Sequence, residues 1–224
     1  MIELALAFYL VFVLPIRHVW NDFRPSDKPK RPPMQRYLSS IRDIGLLLLA
    51  LLFICIWNGY SAADIGLALP ASGAPLWCLI AAAVAMAALL IGSCIHTDRM
   101  PPEKRQELLT KSRDGGIPTN AAEMRLFAVL VVFIGAGWEL LYRGFLLLAL
   151  TPYIGTWGAV AVSGLAYGSA HGYKSPKQFG FSVLLALLFA TAYTLSGSLW
   201  WLMVIHIVLP ATNAINVHRL LKLQ

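Results

Sequence analysis

The chain has 224 residues, of which 58% are hydrophobic and only 13% charged, against roughly 25% charged residues in ordinary soluble domains. Repeated apolar runs long enough to cross about 30 Å of hydrocarbon exclude one or two soluble domains and indicate an integral membrane protein. The net charge of +7 would suit a nucleic-acid binder in a soluble chain, but here the basic residues sit beside apolar spans, where they set membrane orientation, and no nucleic-acid partner is expected.

Apolar runs bounded by charge or turn residues predict an all-α, polytopic bundle of about seven transmembrane helices, at residues 2–19, 43–60, 76–95, 123–150, 157–173, 179–196 and 199–216. The first, within "MIELALAFYLVFVLPIRHVW", carries Glu3 where a signal peptide has basic residues and offers no small-residue cleavage site, so it reads as a retained membrane helix. The next connection, 21–43, holds Arg24, Lys28, Lys30, Arg31, Arg36 and Arg42. The connection at 96–121 holds Arg99, Lys104, Arg105, Lys111 and Arg113, with a short surface helix expected at "PPEKRQELLTK". The alternate connections at 61–75, 151–156 and 196–198 contain no Lys or Arg. Seven spans with the N-terminus outside and the basic loops cytoplasmic satisfy this asymmetry. The organisation is then 1–122, N-terminal helices with basic loops; 123–216, a core of four helices; and 217–224, a short cytoplasmic tail. Cys55, Cys78 and Cys94 all lie in apolar runs at no metal-ligand spacing and are expected as free thiols.

With that topology, Arg143 is the basic residue left inside the membrane. It lies in "FIGAGWELLYRGFLLLAL" (133–150), four residues after Glu139, so the two share a helix face with the acid N-terminal to the base. An ionisable group at the bilayer centre costs about 2.5–3.5 kcal/mol on insertion scales and is usually paired or functional. A structural ion pair accounts for these two alone. His171, in "GLAYGSAH", and His206, in "SLWWLMVIH", read singly as an interfacial and a core histidine, and Asn213 as packing glue or an end cap. Gly164, Gly168 and Gly172, at four-residue spacing, provide a face for close helix approach. Taken together, Glu139, Arg143, His171 and His206 supply a base, a charge clamp and two imidazoles, which is an active-site inventory. Along the helix axes His171 falls roughly 9 Å to the cytoplasmic side of the other groups at 1.5 Å per residue, a gap that helix tilt has to close.

The motifs "ELLYRG" (139–144), "YGSAH" (167–171) and "GSLWWLMVIH" (197–206) resemble those of the CAAX-protease and bacteriocin-processing family of intramembrane proteases, also called the CPBP or Abi family. The family pattern has two adjacent glutamates, three residues and an arginine; an aromatic, three residues and a histidine; and a histidine followed after three residues by asparagine or aspartate. The resemblance covers about residues 123–216. Two positions depart from it: Trp138 stands where the family has the first glutamate, the residue thought to activate water, and Pro210 where it has the final asparagine or aspartate.

The resemblance implies amide hydrolysis of a membrane-associated peptide or protein substrate, prenylated or not, in a bacterial or archaeal cell membrane. Glu139 would polarise water, Arg143 would orient the carboxylate, and His171 and His206 would bind the water or the oxyanion, with Trp138, Tyr167 and Asn213 supporting. No metal is assigned, although a zinc version through Glu139, His171 and His206 stays open. Two other classes compete. One is a degenerate member acting as a membrane binding or immunity protein, for which Trp138 and Pro210 argue. The other is a small transporter or proton-relay subunit.

Overall fold

The computed structural model describes residues 2–24 and 31–222; Lys28 and Lys30 of the first basic connection lie outside the described residues. Every regular element among them is helical. Six segments are long and apolar enough to cross a membrane: α1 (Ile2–Phe23), α2 (Pro33–Asn58), α3 (Gly73–Asp98), one 50-residue segment (Ala121–Ala170), α7 (Pro176–Ser196) and α8 (Trp200–Lys222). Helix α4 (Pro102–Gly115) is the amphiphilic surface helix expected between α3 and the core.

The 50-residue segment is two helices. Gly155 adopts φ +71° and ψ +166°, a backbone region that only glycine enters without strain, and the chain reverses there. The Ser163 hydroxyl donates to the Tyr142 carbonyl at 2.5 Å, and the Tyr142 and Tyr167 rings stand 4.8 Å apart. Both pairs bridge the turn at Gly155, as in an antiparallel hairpin. The arms are α5 (121–154) and α6 (155–170), so the chain makes seven apolar passes. The helices begin where capping chemistry places them: Asn120 accepts from the Glu123 amide at the start of α5, and Ser175 accepts from the Gln178 amide at the start of α7.

Outward faces remain apolar, as lipid requires. Ile56, Trp57, Val84, Ile91, Trp157, Phe181 and Leu195 are all exposed, and α3, with the highest mean hydropathy at 2.5, has very little buried surface. The interior is organised by glycines that let backbones meet. A Cβ on Gly135 would lie 2.5 Å from Ile207 of α8, one on Gly137 2.7 Å from Ile44 of α2, and one on Gly168 2.5 Å from the Val183 Cα of α7. Helix α5 is thus clasped between α2 and α8, and α6 lies tightly on α7. The small-residue face of α6 at Gly164 and Gly168 makes this contact, with Leu187 and Val183 as its partners.

Two π-helical stretches, Tyr9–Val13 in α1 and Leu140–Phe145 in α5, interrupt regular helix. Each widens a turn and resets which residues face inward, a device common at functional sites. In α5 the result is that Leu141, Tyr142, Arg143, Gly144 and Phe145 are all buried, a run that α-helical periodicity would split between faces. The two stretches touch: the Tyr142 hydroxyl donates to the Leu10 carbonyl at 3.0 Å, fastening α1 to the core.

Candidate active site

Glu139 and Arg143, four residues apart on α5, both have fully buried side chains. Arg143 Nη1 donates to Glu139 Oε1 at 2.9 Å. The guanidinium lies 4.0 Å over the Tyr167 ring, a cation–π arrangement that helps a buried cation without a second carboxylate. Its other terminal nitrogen reaches the Ala186 carbonyl of α7 at 3.5 Å. Arg143 therefore draws α5, α6 and α7 together around one charge.

His206 reaches the same carboxylate from α8. Its Nδ1 lies 3.1 Å from Glu139 Oε1 and 3.1 Å from the Leu202 carbonyl. Both neighbours only accept, so the Nδ1 edge carries the proton and the Nε2 edge keeps its lone pair. The hydrogen bond at this edge runs to the Leu202 carbonyl, and the carboxylate stands against the same edge, favouring that tautomer and ring orientation. His171, at the C-terminal end of α6, is tethered likewise: Nδ1 lies 2.9 Å from the Tyr167 carbonyl, and its ring stands edge-on to Tyr167 at 4.7 Å. The Tyr167 ring is also 6.3 Å from His206, so it lies among the two imidazoles and the guanidinium and spaces them.

A cavity of about 270 Å³ is lined by His171, His206, Tyr167, Trp138 and Pro210, with Leu14, His18, Ile134, Ala170 and Leu209 completing it. Despite the axial offset expected between them, His171 and His206 line the same cavity. Glu139 and Arg143 do not line this cavity; they stand behind it, with the carboxylate meeting it through His206. Trp138 does line it. The indole occupies the place where the motif comparison has a carboxylate, and Pro210, one turn beyond His206, offers the cavity no side-chain donor. Asn213 is elsewhere: it is exposed and borders a different cavity, between α4 and α8, with Ser112 and Asn216.

His18 carries no signal in the sequence that would mark it as a site residue. It has no motif around it, and only its place one helical turn after Pro15, at the end of the first apolar run, set it apart. Its Nδ1 is 2.5 Å from the Ala170 carbonyl. It borders both the inner cavity and a wider one of about 480 Å³ that also contains Arg17, Ser40, Arg42 and Asp43. The two spaces share Leu14, His18, Ile134 and Trp138, so the wider one forms a polar vestibule to the inner one.

For zinc, Glu139, His171 and His206 do not form a donor set as they are arranged. Glu139 Oε1 is shared between Arg143 and His206, and among the described residues no three His, Cys, Asp or Glu side chains are grouped so that they could hold a metal ion.

Residues 120–212 match the family model of the type II CAAX prenyl endopeptidases, described as Rce1-like. No curated protein and no solved structure matches the chain. The matched stretch runs from the Asn120 cap of α5 to Thr212 of α8, and so contains Glu139, Arg143, Tyr167, His171 and His206 while leaving out α1 to α4 and Asn213. This four-helix core is similar to that of the CAAX-protease family, which the motifs resemble.

Proposed function

We propose that this chain, an integral membrane protein with the helical core of a CAAX endopeptidase, hydrolyses a peptide bond in a membrane-associated peptide or protein. The observation that carries the reading is the 3.1 Å contact between Glu139 Oε1 and His206 Nδ1, set behind a cavity that His206 and His171 line. An imidazole oriented by a buried carboxylate is suited to act as a general base.

The chemistry is written on His206. Its Nε2 takes a proton from water as the water oxygen bonds to the substrate carbonyl carbon and the carbonyl π pair moves to oxygen. When that pair returns, the C–N bond breaks, and the departing amine takes the proton from the His206 imidazolium. Water has been added across the amide, and His206 is again neutral. Glu139 takes no part in the proton transfer, and Arg143 holds its carboxylate in position. This assigns Glu139 to orienting His206, one step back from the water-polarising role that the motif resemblance implies for it. His171, whose proton is committed to the Tyr167 carbonyl, presents a lone pair that accepts from a backbone N–H of the substrate.

The chain's orientation follows the charge pattern: N-terminus outside, basic connections cytoplasmic. The vestibule carries Arg17 and Arg42, so the substrate approaches from the cytoplasmic side. The test is cleavage of a broad membrane-peptide library by protein in liposomes, comparing wild type with His206→Ala and Glu139→Gln and repeating with a chelator. The expected result is chelator-insensitive cleavage that both substitutions abolish. Silence from well-folded wild type would instead favour a binding or immunity protein that keeps the fold, the reading for which Trp138 argues.

A further inference from the structure

The inner cavity contains no carboxylate among the residues that line it. Where the motif comparison has the water-activating glutamate, this chain has Trp138, an indole that cannot accept a proton. Hydrolysis needs the attacking water held by more than the base alone, since one accepted hydrogen leaves the water free to rotate about that bond. The question is which group near Trp138 offers a second acceptor.

His18 meets the requirement. It borders the same two spaces as Trp138, so it reaches the part of the cavity from which the carboxylate is missing. Its Nδ1 is 2.5 Å from the Ala170 carbonyl, which can only accept, so the proton sits on Nδ1 and the lone pair on Nε2.

The ring is also held rigidly, as a water-positioning group must be. Helix α1 is pinned on both sides of His18. Nearer its start, the Tyr142 hydroxyl binds the Leu10 carbonyl at 3.0 Å. Toward its end, the Tyr173 amide donates to Asp22 Oδ2 at 2.7 Å and Phe23 stacks on Tyr173 at 4.8 Å. Those last two contacts grip the connection that follows His171, so His18 and His171 are positioned by one local structure.

We propose that His18 is a third imidazole of the site, and that its Nε2 accepts a hydrogen bond from the hydrolytic water while His206 takes the water's other proton. His18 replaces, from α1, the acceptor that Trp138 displaces from α5. It lies outside residues 120–212, so this part of the site is supplied by the N-terminal helices. The proposal rests on the peptidase reading above.

The test is steady-state cleavage in liposomes by wild type and His18→Ala, with and without added imidazole, alongside thermal unfolding of both. The expected outcome is a fall in kcat of about 10²-fold, little change in KM, and partial recovery with imidazole, which can enter the space that the side chain leaves. Wild-type kcat in His18→Ala would overturn the proposal and leave the peptidase reading standing. A loss that imidazole does not restore, accompanied by a lowered unfolding temperature, would reassign His18 to fastening α1 onto Ala170 and also overturn it. A silent wild type would overturn the peptidase reading and this proposal with it. Nitrogen NMR of the histidines in nanodiscs gives a readout independent of turnover: the proton is expected on His18 Nδ1, and a proton on Nε2 would overturn the assignment.

Discussion

Glu139 and His206 meet through one carboxylate oxygen, with His206 Nδ1 3.1 Å from Glu139 Oε1, and Arg143 Nη1 donates to that same oxygen at 2.9 Å. Glu139 Oε2 is buried and has no protein partner among the described residues. The carboxylate therefore serves two masters through a single atom, and removing either neighbour changes how it holds the other.

That arrangement separates stability from activity. Arg143→Met leaves a buried carboxylate without its cation, and Glu139→Gln leaves a buried guanidinium without its anion. Each is expected to cost about 3–5 kcal/mol, the usual penalty for breaking a buried pair from one side. The double substitution Glu139→Gln with Arg143→Met removes both charges and is expected to recover most of that loss, because buried pairs are often replaceable by uncharged groups of similar volume. Cleavage is not recovered, since His206 then has no carboxylate behind it. Denaturant unfolding in detergent measures the first effect and peptide cleavage the second. Full cleavage by the double variant would remove Glu139 from the chemistry.

The approach of α5 to α8 sets the Glu139 to His206 distance, and Gly135 sets that approach. Gly135 is one helical turn before Glu139, and a Cβ there would lie 2.5 Å from Ile207 Cγ1, 2.9 Å from the Ile207 amide nitrogen and 3.0 Å from the His206 carbonyl carbon. The last two are backbone atoms, so the strain cannot be relieved by a rotamer change. Gly135→Ala is expected to cost about 1–3 kcal/mol through overpacking, and to part the helices enough to lower cleavage by at least about 10-fold. Gly92→Ala in α3 is the control: nothing lies within 4 Å of the added carbon, and alanine is better than glycine in a helix by roughly 1 kcal/mol. Unfolding and cleavage measured on both separate a site effect from a general response to methyl addition.

Much of this was readable in the chain itself. The all-helical membrane fold followed from apolar length, because a span of hydrocarbon imposes a minimum run that few other architectures need. The separation of the fourth and fifth spans was readable from the Lys- and Arg-free turn at 151–156, within which Gly155 takes the positive φ that reverses the chain. That Glu139 and Arg143 pair followed from their spacing. That Glu139 stands behind His206, out of the cavity, did not, because the π-helical stretch at Leu140–Phe145 rotates the inward face and no local composition marks it. Asn213 shares the helix face of His206 at seven residues' spacing, but it borders the α4 side, because two turns carry it about 10 Å further along α8. His18 was invisible for a different reason: it lies on another helix, in no motif, and only the packing of α1 against the end of α6 brings it to the cavity.

The indole of Trp138 offers the most direct test of how the cavity works. It borders both the inner cavity and the vestibule, and its ring lies 5.9 Å from Tyr142 in a tilted contact. Trp138→Glu trades that contact for a carboxylate at the point where the cavity has no anionic acceptor. Since Trp138 faces these open spaces and Glu139 does not, the new side chain can be solvated and need not compete for Arg143. A well-placed carboxylate base is worth about 10²–10⁴-fold, so cleavage by Trp138→Glu is expected to exceed wild type by about 10²-fold. The double variant Trp138→Glu with His18→Ala tests the link between the two positions. If His18 supplies the acceptor that Trp138 displaces, the His18 substitution costs about 10²-fold in the wild-type background and much less beside Glu at 138, because the new carboxylate performs the same function. Equal losses in both backgrounds would mean that the two residues act separately. Cleavage rates of the four proteins in liposomes at one pH close this cycle.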